Sequence, residues 1–435
     1  MPVDPRAVVL GADAIGLGAA RSLHEGGLPT IAVALKRWEA VHWSRSARTV
    51  VVPKSEDLDG AILDVLAGIT GPEPPVLIPT SDFFAHFVSR HQDELARRFR
   101  SCVPRKAVME LALDKARDTE VMAGLGVPLP RTAATLPSSP AALVKEIGLP
   151  LIVKPRTYLD KRELGWRNAV IHDAAQLELF YRTERRVFER VIAQELIPGG
   201  DETLWEFMGV FDRRSEPVST FTFRKLRTVP AHYGQTSHGR SERNETIIEL
   251  AGRIGRRLGY VGAADIDLKY DERDGQYKYL ELNPRLGLCN YLATRCGVNL
   301  ALDAWRVARG EEVSARAGQR EGVAFLSALE DAGARFFDGD SPTRILAGLV
   351  RALRRRPLVG AYFSWNDFWP GPLSAGRMFF RLFERARRGE LAPVFTKDFG
   401  KEPAAAAVVP PPLPPETPTA PARPEVPGAA CSAPG

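Results

Sequence analysis

Residues 262–285 read GAADIDLKYDERDGQYKYLELNPR. Two alternating runs flank the Asp-Gly pair at 274–275, and this pattern predicts a β-hairpin. With the turn centred on Asp274, Asp267 pairs with Glu281 and Asp265 pairs with Asn283. Because side chains alternate along a strand, the four polar groups at these paired positions would lie on one face of the hairpin.

The polar face of this hairpin predicts a divalent cation site. Two acids directly opposite each other are unfavourable unless a cation lies between them. Mg²⁺ and Mn²⁺ prefer oxygen ligands, so we predict that Asp267, Glu281 and Asn283 hold such an ion. A solvated acidic hairpin is the alternative, but it needs neither an apolar opposite face nor the Asn-Pro-Arg end at 283–285. The residues expected on that apolar face are Ile266, Leu268, Leu280 and Leu282.

The sequence ELNPR at 281–285 resembles the E-x-N-P-R signature of the ATP-grasp superfamily, which includes biotin carboxylase, carbamoyl phosphate synthetase, D-alanine ligase and D-aspartate ligase. Three more stretches resemble that superfamily in the expected order: LDK at 113–115 with GVPLP at 126–130, LIVKP at 151–155, and IAQELIPGGDE at 192–202. The resemblance covers about Ala7 to Leu302. It is nearest to the carboxylate-amine ligase-like members, including a late YFSWND segment at 362–367.

This resemblance implies an α/β plus α+β protein, in which a Rossmann-like pre-ATP-grasp domain precedes the ATP-grasp fold. It also implies ATP and Mg²⁺ or Mn²⁺ as cofactors. The nucleotide contacts that it implies are Lys115 and Lys154 on the phosphates, Gln194, Glu195 and Ile197 at the hinge that holds adenine, and Glu202 at the ribose hydroxyls.

The implied reaction is that of a carboxylate-amine ligase, which forms an amide or peptide bond through an acyl phosphate and releases ADP and phosphate. Such a reaction needs positioning and charge stabilisation and no protein nucleophile. The planar guanidinium of Arg285 would steady the reacting phosphate. We also place Lys225 and Arg227 near the acceptor or the phosphates, although a solvated strand end explains these two equally well.

The substrates stay open at this point. Small carboxylates and amines are expected, with an amino acid or a peptide as the favoured class. A kinase of a small metabolite is the alternative enzyme, because the fold does not fix the acceptor. A dinucleotide dehydrogenase is disfavoured, since Gly11, Gly16 and Gly18 lack the GxGxxG spacing. Self-association into a homodimer is left open.

Four regions are expected along the chain: a pre-ATP-grasp α/β domain at 1–105, the ATP-grasp domain at 106–310, a basic and partly helical segment at 311–400, and a Pro/Ala-rich disordered tail at 401–435. The nucleotide would be clamped between 106–190 and 191–310. A single helix is predicted over 107–125. The lid expected at 156–167 is poor in glycine and rich in bases.

Composition excludes several protein classes. The 435 residues are 44% hydrophobic, and no apolar run approaches the ~18 residues of a membrane span. The four cysteines form no CxxC pair, so we expect reduced structural thiols and a cytoplasmic protein.

The net charge of +6 is unevenly distributed, with ten arginines and two acids between Arg344 and Arg388. This segment raises the alternative of a peripheral membrane-binding protein with basic helices. We expect instead that its apolar stripe packs on the protein's own core, and we expect no nucleic-acid partner. The stripe consists of Ile345, Leu346, Leu349, Val350 and Leu353.

Overall fold

The computed structural model describes residues 6–313, 318–354, 357–387 and 396–398. The tail predicted at 401–435 lies outside the described residues. Within them the strands assemble into three sheets, and the hairpin at 262–285 belongs to the largest one.

The first sheet is parallel, with the strand order β3-β2-β1-β4-β5. Its strands are β1 (Ala7–Leu10), β2 (Thr30–Ala34), β3 (Arg48–Val51), β4 (Val76–Pro79) and β5 (Arg100–Ser101), and its helices are α1 (Ala14–Glu25), α2 (Leu58–Ala67), α3 (Asp82–Arg90) and α4 (Gln92–Leu95). The chain begins with a β-α-β unit, because β1 and β2 pair in parallel across α1. The carboxyl end of β4 leads directly to Asp82 at the start of α3.

The single helix predicted over 107–125 is wrong, because two helices occupy this stretch, α5 (Lys106–Ala112) and α6 (Lys115–Gly124). The break follows from Asp114, whose carboxylate accepts from the N–H of Ala116 at 3.1 Å and so caps α6. The same carboxylate receives two 2.7 Å bonds from Arg156. Helix α6 therefore starts at Lys115, at a fixed place beside the lid segment.

The second, smaller sheet contains β6 (Thr132–Ala133), β7 (Leu151–Pro155), β8 (Asn168–Ile171) and β9 (Val191–Glu195), with helices α7 (Pro140–Ile147), α8 (Tyr158–Leu164) and α9 (Ala174–Thr183). Strand β9 pairs with β7, so the chain leaves this sheet after Glu195 and not at the division expected at 190. Lys154 lies on β7 near its carboxyl end, opposite Ile192.

The third sheet has the order β14-β13-β10-β11-β12-β15-β16. Its strands are β10 (Leu204–Phe211), β11 (Pro217–Val229), β12 (Gln235–Ser241), β13 (Gly262–Asp271), β14 (Gln276–Asn283), β15 (Ala324–Leu326) and β16 (Leu358–Gly360), accompanied by α10 (Glu245–Leu258), α11 (Asn290–Arg295) and α12 (Leu300–Arg309). One core joins Val9 of the first sheet, Phe221 of this sheet and Leu292 of α11. The first and third sheets therefore pack around shared apolar side chains.

The C-terminal segment adds α13 (Ala328–Phe337), α14 (Pro342–Arg354) and α15 (Pro370–Arg387), and β17 (Thr396–Asp398) extends the small sheet beside β8. Its strands β15, β16 and β17 pair with the sheets, so this segment is built into the fold. The expected packing of the α14 stripe is wrong for three members. Leu346, Val350 and Leu353 are 64%, 37% and 50% exposed, because α14 buries Ala352 on its other side.

Candidate active site

The hairpin of β13 and β14 has the predicted pairs, Asp267 opposite Glu281 and Asp265 opposite Asn283. Nearer the turn the register differs by one, because a bulge next to Asp267 and Leu268 pairs Leu268 with Tyr279. The prediction that Leu280 lies on the apolar face is therefore wrong. Leu280 lines the cavity beside Glu281, and Tyr279 is buried in the core in its place.

Two lysines neutralise the carboxylates of this hairpin. The Nζ of Lys115 donates to Oε1 of Glu281 at 2.7 Å. Lys225 on β11 contacts Asp267 and lies 3.0 Å from Oε2 of Glu206 on β10. Burial alone would raise the pKa of Glu281, but Lys115, Lys154 and Lys161 lower it to about 2. Burial disfavours the charge on Lys225, yet Asp267 and Glu206 hold its pKa above the usual range.

Arg285 connects the end of the hairpin with the first sheet. Its guanidinium donates to Asp265 at 2.7 Å, to Asn283 at 3.0 Å and to Asp82 at 3.1 Å. Although burial disfavours its charge, the carboxylates of Asp82 and Asp265 raise its pKa further. The three acceptors fix the planar group at the junction of the first and third sheets.

Asp265 has more negative charge around it than its partners offset. Its Oδ1 is buried and lacks a hydrogen-bond donor among the described residues. Burial and the neighbouring Glu206 raise its pKa well above the ordinary value. Gly287 permits this crowding, because a Cβ there would lie 2.8 Å from Glu206 and 2.9 Å from Asp265. A bound cation or a proton would relieve the excess of carboxylate oxygen.

Lys154 enters the same cavity from the small sheet. Its Nζ donates to Oε1 of Gln194 at 2.8 Å, and burial lowers its pKa to about 8. The cavity lies between the second and third sheets and has a volume of about 240 Å³. Its lining includes the predicted residues Lys115, Lys154, Gln194, Glu195, Ile197, Lys225, Asp267, Glu281, Asn283 and Arg285.

These ten residues come from five separate parts of the sequence, so their convergence is a property of the fold.

Comparison with known proteins agrees with that fold. The family described as "Carbamoyl-phosphate synthase L chain, ATP binding domain" matches residues 238–316, which include β13 and β14. The D-aspartate ligase of Enterococcus faecium is 25% identical over 315 residues, covering 68% of this chain and 74% of that protein.

A second relative is the carbamoyl phosphate synthase large chain of Pyrococcus furiosus, 25% identical over 215 residues. That match covers 46% of this chain and only 20% of the relative. Among solved structures, biotin carboxylase from Campylobacter jejuni has a TM-score of 0.56 at 18% identity, covering 73% of this chain and 74% of that one. This chain has the ATP-grasp fold. With this fold and with ligases as its relatives, it is classed as an ATP-dependent ligase.

A second cavity of about 370 Å³ lies on the segment predicted as the hinge. Glu195 and Ile197 line both cavities. The Glu195 carboxylate is occupied, because it accepts from Arg131 at 2.6 Å and also binds Arg273 in the hairpin turn. The Glu195 carboxylate thus links this segment to the turn between β13 and β14.

The structure places two of the predicted site residues outside these cavities. Glu202 is exposed and lines neither of the two, whereas its neighbour Asp201 lines the second. Arg227 donates to the buried Asp331 of α13 at 2.6 Å and lines neither cavity. A bulge in β11 between Lys225 and Arg227 separates these two bases, so only Lys225 reaches the hairpin.

Two acids at the site, Glu206 and Asp82, were not among the predicted site residues. Glu206 is a buried acid in the apolar strand LWEFMGVF, and an isolated acid in such a strand is a signal for a paired or metal-linked site. Asp82 lies just beyond the carboxyl end of β4, and such strand ends are where parallel α/β sheets bind ligands. Its partner Arg285 lies 203 positions away, and no sequence pattern connects the two.

The glycine-poor lid forms a helix. Thr157 and Asp160 make a capping box at the start of α8, and Tyr158 contacts His86 of the first sheet's α3 at 3.0 Å. Lys161 of this helix lines the cavity. Loss of hydration there, and then the positive charge of Arg167, lower the pKa of Lys161 to about 8. The lid therefore presents side-chain cations to the cavity.

No helix of the described residues is both long and apolar enough to cross a bilayer. Among the same residues, no three His, Cys, Asp or Glu side chains converge as a ready-made metal centre. The oxygens of Asp267, Glu281 and Asn283 instead contact Lys225, Lys115 and Arg285. A cation at this hairpin would have to displace or share these contacts.

Proposed function

We propose that this ATP-grasp protein activates a carboxylate as an acyl phosphate and joins it to an amine, with release of ADP and phosphate. The observation that carries the proposal is the convergence of Lys115, Lys154, Lys225 and Arg285 in one cavity with the acids of the hairpin. These four cations could offset the negative charge of a triphosphate, and the carboxylates beside them could bind its metal.

The nucleotide would lie between the second and third sheets. Adenine would sit at the hinge against Ile197, with the bulged Leu280 as an apolar surface of the pocket. Lys154 and Lys115 would bind phosphate oxygens, because each is directed into the cavity from a different sheet or helix. We assign the ribose contact to the rim formed by Asp201 and Glu202, of which Asp201 lines the second cavity.

Asp267, Glu281 and Asn283 would hold Mg²⁺ or Mn²⁺, and the uncompensated carboxylate oxygen of Asp265 fits a cation nearby. When bound, the ion neutralises charge on the β- and γ-phosphates. The lysines that now contact these ligands would turn toward the phosphates.

In the first step a carboxylate oxygen of the substrate attacks the γ-phosphorus, and the bond to the β-phosphate oxygen breaks. In the second step the amine nitrogen attacks the acyl carbon, the bond from that carbon to the phosphate oxygen breaks, and the proton lost by the nitrogen goes to the departing phosphate. Lys225 and Arg285 stay protonated, since the neighbouring acids raise the pKa of both. They therefore stabilise charge and do not accept the proton. Arg227 would position α13 through Asp331.

Lys161 and Arg167 of the lid would bind the second anion of the reaction, the substrate carboxylate or the phosphate formed from it. The carboxylate substrate would be an amino acid, because the Enterococcus relative is a D-aspartate ligase. We place the reaction in the cytoplasm, where ATP is available and where the buried thiols of Cys289 and Cys296 stay reduced.

Trapping with hydroxylamine tests this proposal directly. The protein would be incubated with MgATP and pools of amino acids and other carboxylic acids, and ADP and hydroxamate would be measured together. A ligase gives hydroxamate in proportion to ADP, because hydroxylamine intercepts the acyl phosphate. A kinase gives ADP and a stable phosphate ester without hydroxamate, and that result would replace the proposed reaction. Lys154→Met should abolish both signals, and the exposed Lys145→Met is the matched control.

A further inference from the structure

Large apolar side chains are exposed mainly in one part of the chain. Of the fourteen that are exposed among the described residues, eleven lie between Phe336 and Phe380, and Trp38 is a twelfth. Trp365 is 76% exposed and Trp369 is 63% exposed. Exposed apolar groups scattered singly are ordinary, whereas a concentration of this kind marks an interaction surface.

Six of these side chains form what we call the aromatic patch: Trp38, Phe363, Trp365, Phe368, Trp369 and Phe380. The ring centroid of Phe363 lies 5.0 Å from that of Trp365 and 5.6 Å from that of Phe368, and Phe368 lies 5.6 Å from Trp369. Trp38 joins the patch through its carbonyl, which accepts from Arg377 one turn before Phe380 on α15. Phe363, Trp365, Phe368 and Trp369 therefore form one ring cluster, and the backbone of Trp38 is tied to the helix that carries Phe380.

The loop that carries the patch is fixed to the first part of the chain by buried contacts of Asp367. Arg21 of α1 donates to Asp367 at 2.9 Å, and both side chains are buried. Ser44 and the backbone N–H of Arg45 donate to the same carboxylate at 2.7 Å and 3.1 Å. Asp367 is held by three donors while Trp365 and Phe368 on either side face outward. The exposure of the rings thus comes from an ordered loop.

Basic residues outnumber acids around the patch, where the acids are the partly buried Glu39 next to Trp38 and the exposed Glu384 of α15. Lys36 and Arg37 are exposed next to Trp38, and Arg387 is exposed at the end of α15. Asp367 is one of the two acids between Arg344 and Arg388, and its charge is neutralised by the buried ion pair with Arg21. Helix α14 repeats the pattern, since its exposed Leu346, Val350 and Leu353 follow a spacing of four and three residues and lie among exposed arginines.

We propose that the aromatic patch docks this ATP-grasp protein on the surface of an anionic phospholipid membrane. Tryptophan and phenylalanine partition into the headgroup region, and lysine and arginine beside them bind anionic headgroups. The protein lies on the bilayer and does not cross it, in accord with the absence of a spanning helix among the described residues. This docking is independent of the proposed ligase reaction, and either can fail without the other.

Sedimentation with lipid vesicles tests the docking. The full-length protein would be mixed with vesicles of phosphatidylglycerol and phosphatidylcholine, and in parallel with vesicles of phosphatidylcholine alone. We expect the protein to bind the anionic vesicles at least about tenfold more tightly than the vesicles of phosphatidylcholine alone. This binding should weaken as the salt concentration rises. Trp365→Ser combined with Trp369→Ser should weaken that binding at least about tenfold. Val121→Ser, at an exposed apolar position elsewhere, is the matched control and should bind like the wild type.

A second variant, Lys36→Glu with Arg37→Glu, keeps the test decisive if the tryptophan variant folds poorly, as judged by its thermal unfolding. It should also weaken anionic binding at least about tenfold. Absence of vesicle binding, equal binding to both vesicle types, or undiminished binding by both variants would overturn the proposal. A wild-type dimer that becomes a monomer in the tryptophan variant, with no vesicle binding, would assign the patch to a second copy of the chain and would overturn it as well.

Discussion

The floor of the active site and its lid are built in opposite ways. On the floor, β13 and β14 hold acids that are neutralised by Lys115, Lys225 and Arg285, and Lys225 is only 5% exposed. The lid helix α8 buries none of its seven residues and is held at its start by the capping box of Thr157. Changes to the floor should therefore affect chemistry and stability together, whereas changes to the lid should affect binding alone.

The largest effect is expected on the floor from Glu281→Gln. Removing the charge of this proposed metal ligand should lower ligase turnover at least about 10³-fold, because the proposed metal site and the contact of Lys115 both depend on Glu281. ADP release at saturating MgATP measures the effect, and Glu146→Gln at an exposed position is the control. Normal MgATP turnover in Glu281→Gln would show that the metal assignment is wrong.

Lys225→Met should couple activity to stability. Its removal leaves Glu206 and Asp267 without their cation, which should cost about 3 kcal/mol in the free energy of unfolding and about 10²-fold in turnover. Urea denaturation and steady-state kinetics measure the two effects. The double variant Lys225→Met/Glu206→Gln should recover part of the stability and none of the turnover. Recovery of turnover would exclude Lys225 from the chemistry.

On the lid, Lys161→Met should raise the KM for ATP or for the carboxylate about tenfold. The free energy of unfolding should change by less than about 0.5 kcal/mol, because α8 has no buried residue. The neighbouring Arg162→Met, which does not line the cavity, serves as the control. A large loss of stability in Lys161→Met would contradict the distinction between floor and lid.

The affinity for ATP should fall severalfold as the pH rises through about 8. Burial lowers the pKa of Lys154 to about 8, so the free protein loses this phosphate-binding charge above that pH. Bound phosphate favours the protonated form, so binding above pH 8 should take up a proton. Calorimetric titrations in buffers of different ionisation enthalpy measure this uptake. Lys154→Arg keeps its charge, and an unchanged pH dependence in that variant would refute the assignment.

The smallest effect is expected at the rim, from His232→Gln. Asp201 raises the pKa of His232 to about 8, with a 3.1 Å contact between them. The folded state therefore holds this proton more tightly than the unfolded state. The stabilisation is present below the ordinary histidine pKa and is lost as the pH rises through about 8. Because His232 is half exposed, the variant should lose less than about 1 kcal/mol at low pH, and nothing at high pH, in thermal unfolding.

The hairpin was predictable from sequence because its signals are local. The Asp-Gly turn and the alternation of residue types place Asp267 opposite Glu281 without reference to the rest of the chain. The bulge that moves Leu280 into the cavity was not predictable, because the alternating pattern runs through it unchanged. The division of residues 106–124 into two helices was also not predicted. Asp114 caps the second helix and binds Arg156 of the lid, and this second contact depends on the tertiary structure.

By itself, the sequence determined the hairpin, the resemblance carried by ELNPR, and the types of residue that would meet a triphosphate. The tertiary structure decided which of them meet. Lys225 reaches Asp267 while Arg227 does not, and Arg285 finds Asp82 across 203 positions, because strand pairing and shared cores set these distances. The tertiary structure also decided which apolar side chains are exposed. The sequence of α14 predicts an apolar stripe, but it does not determine whether another part of the protein covers that stripe.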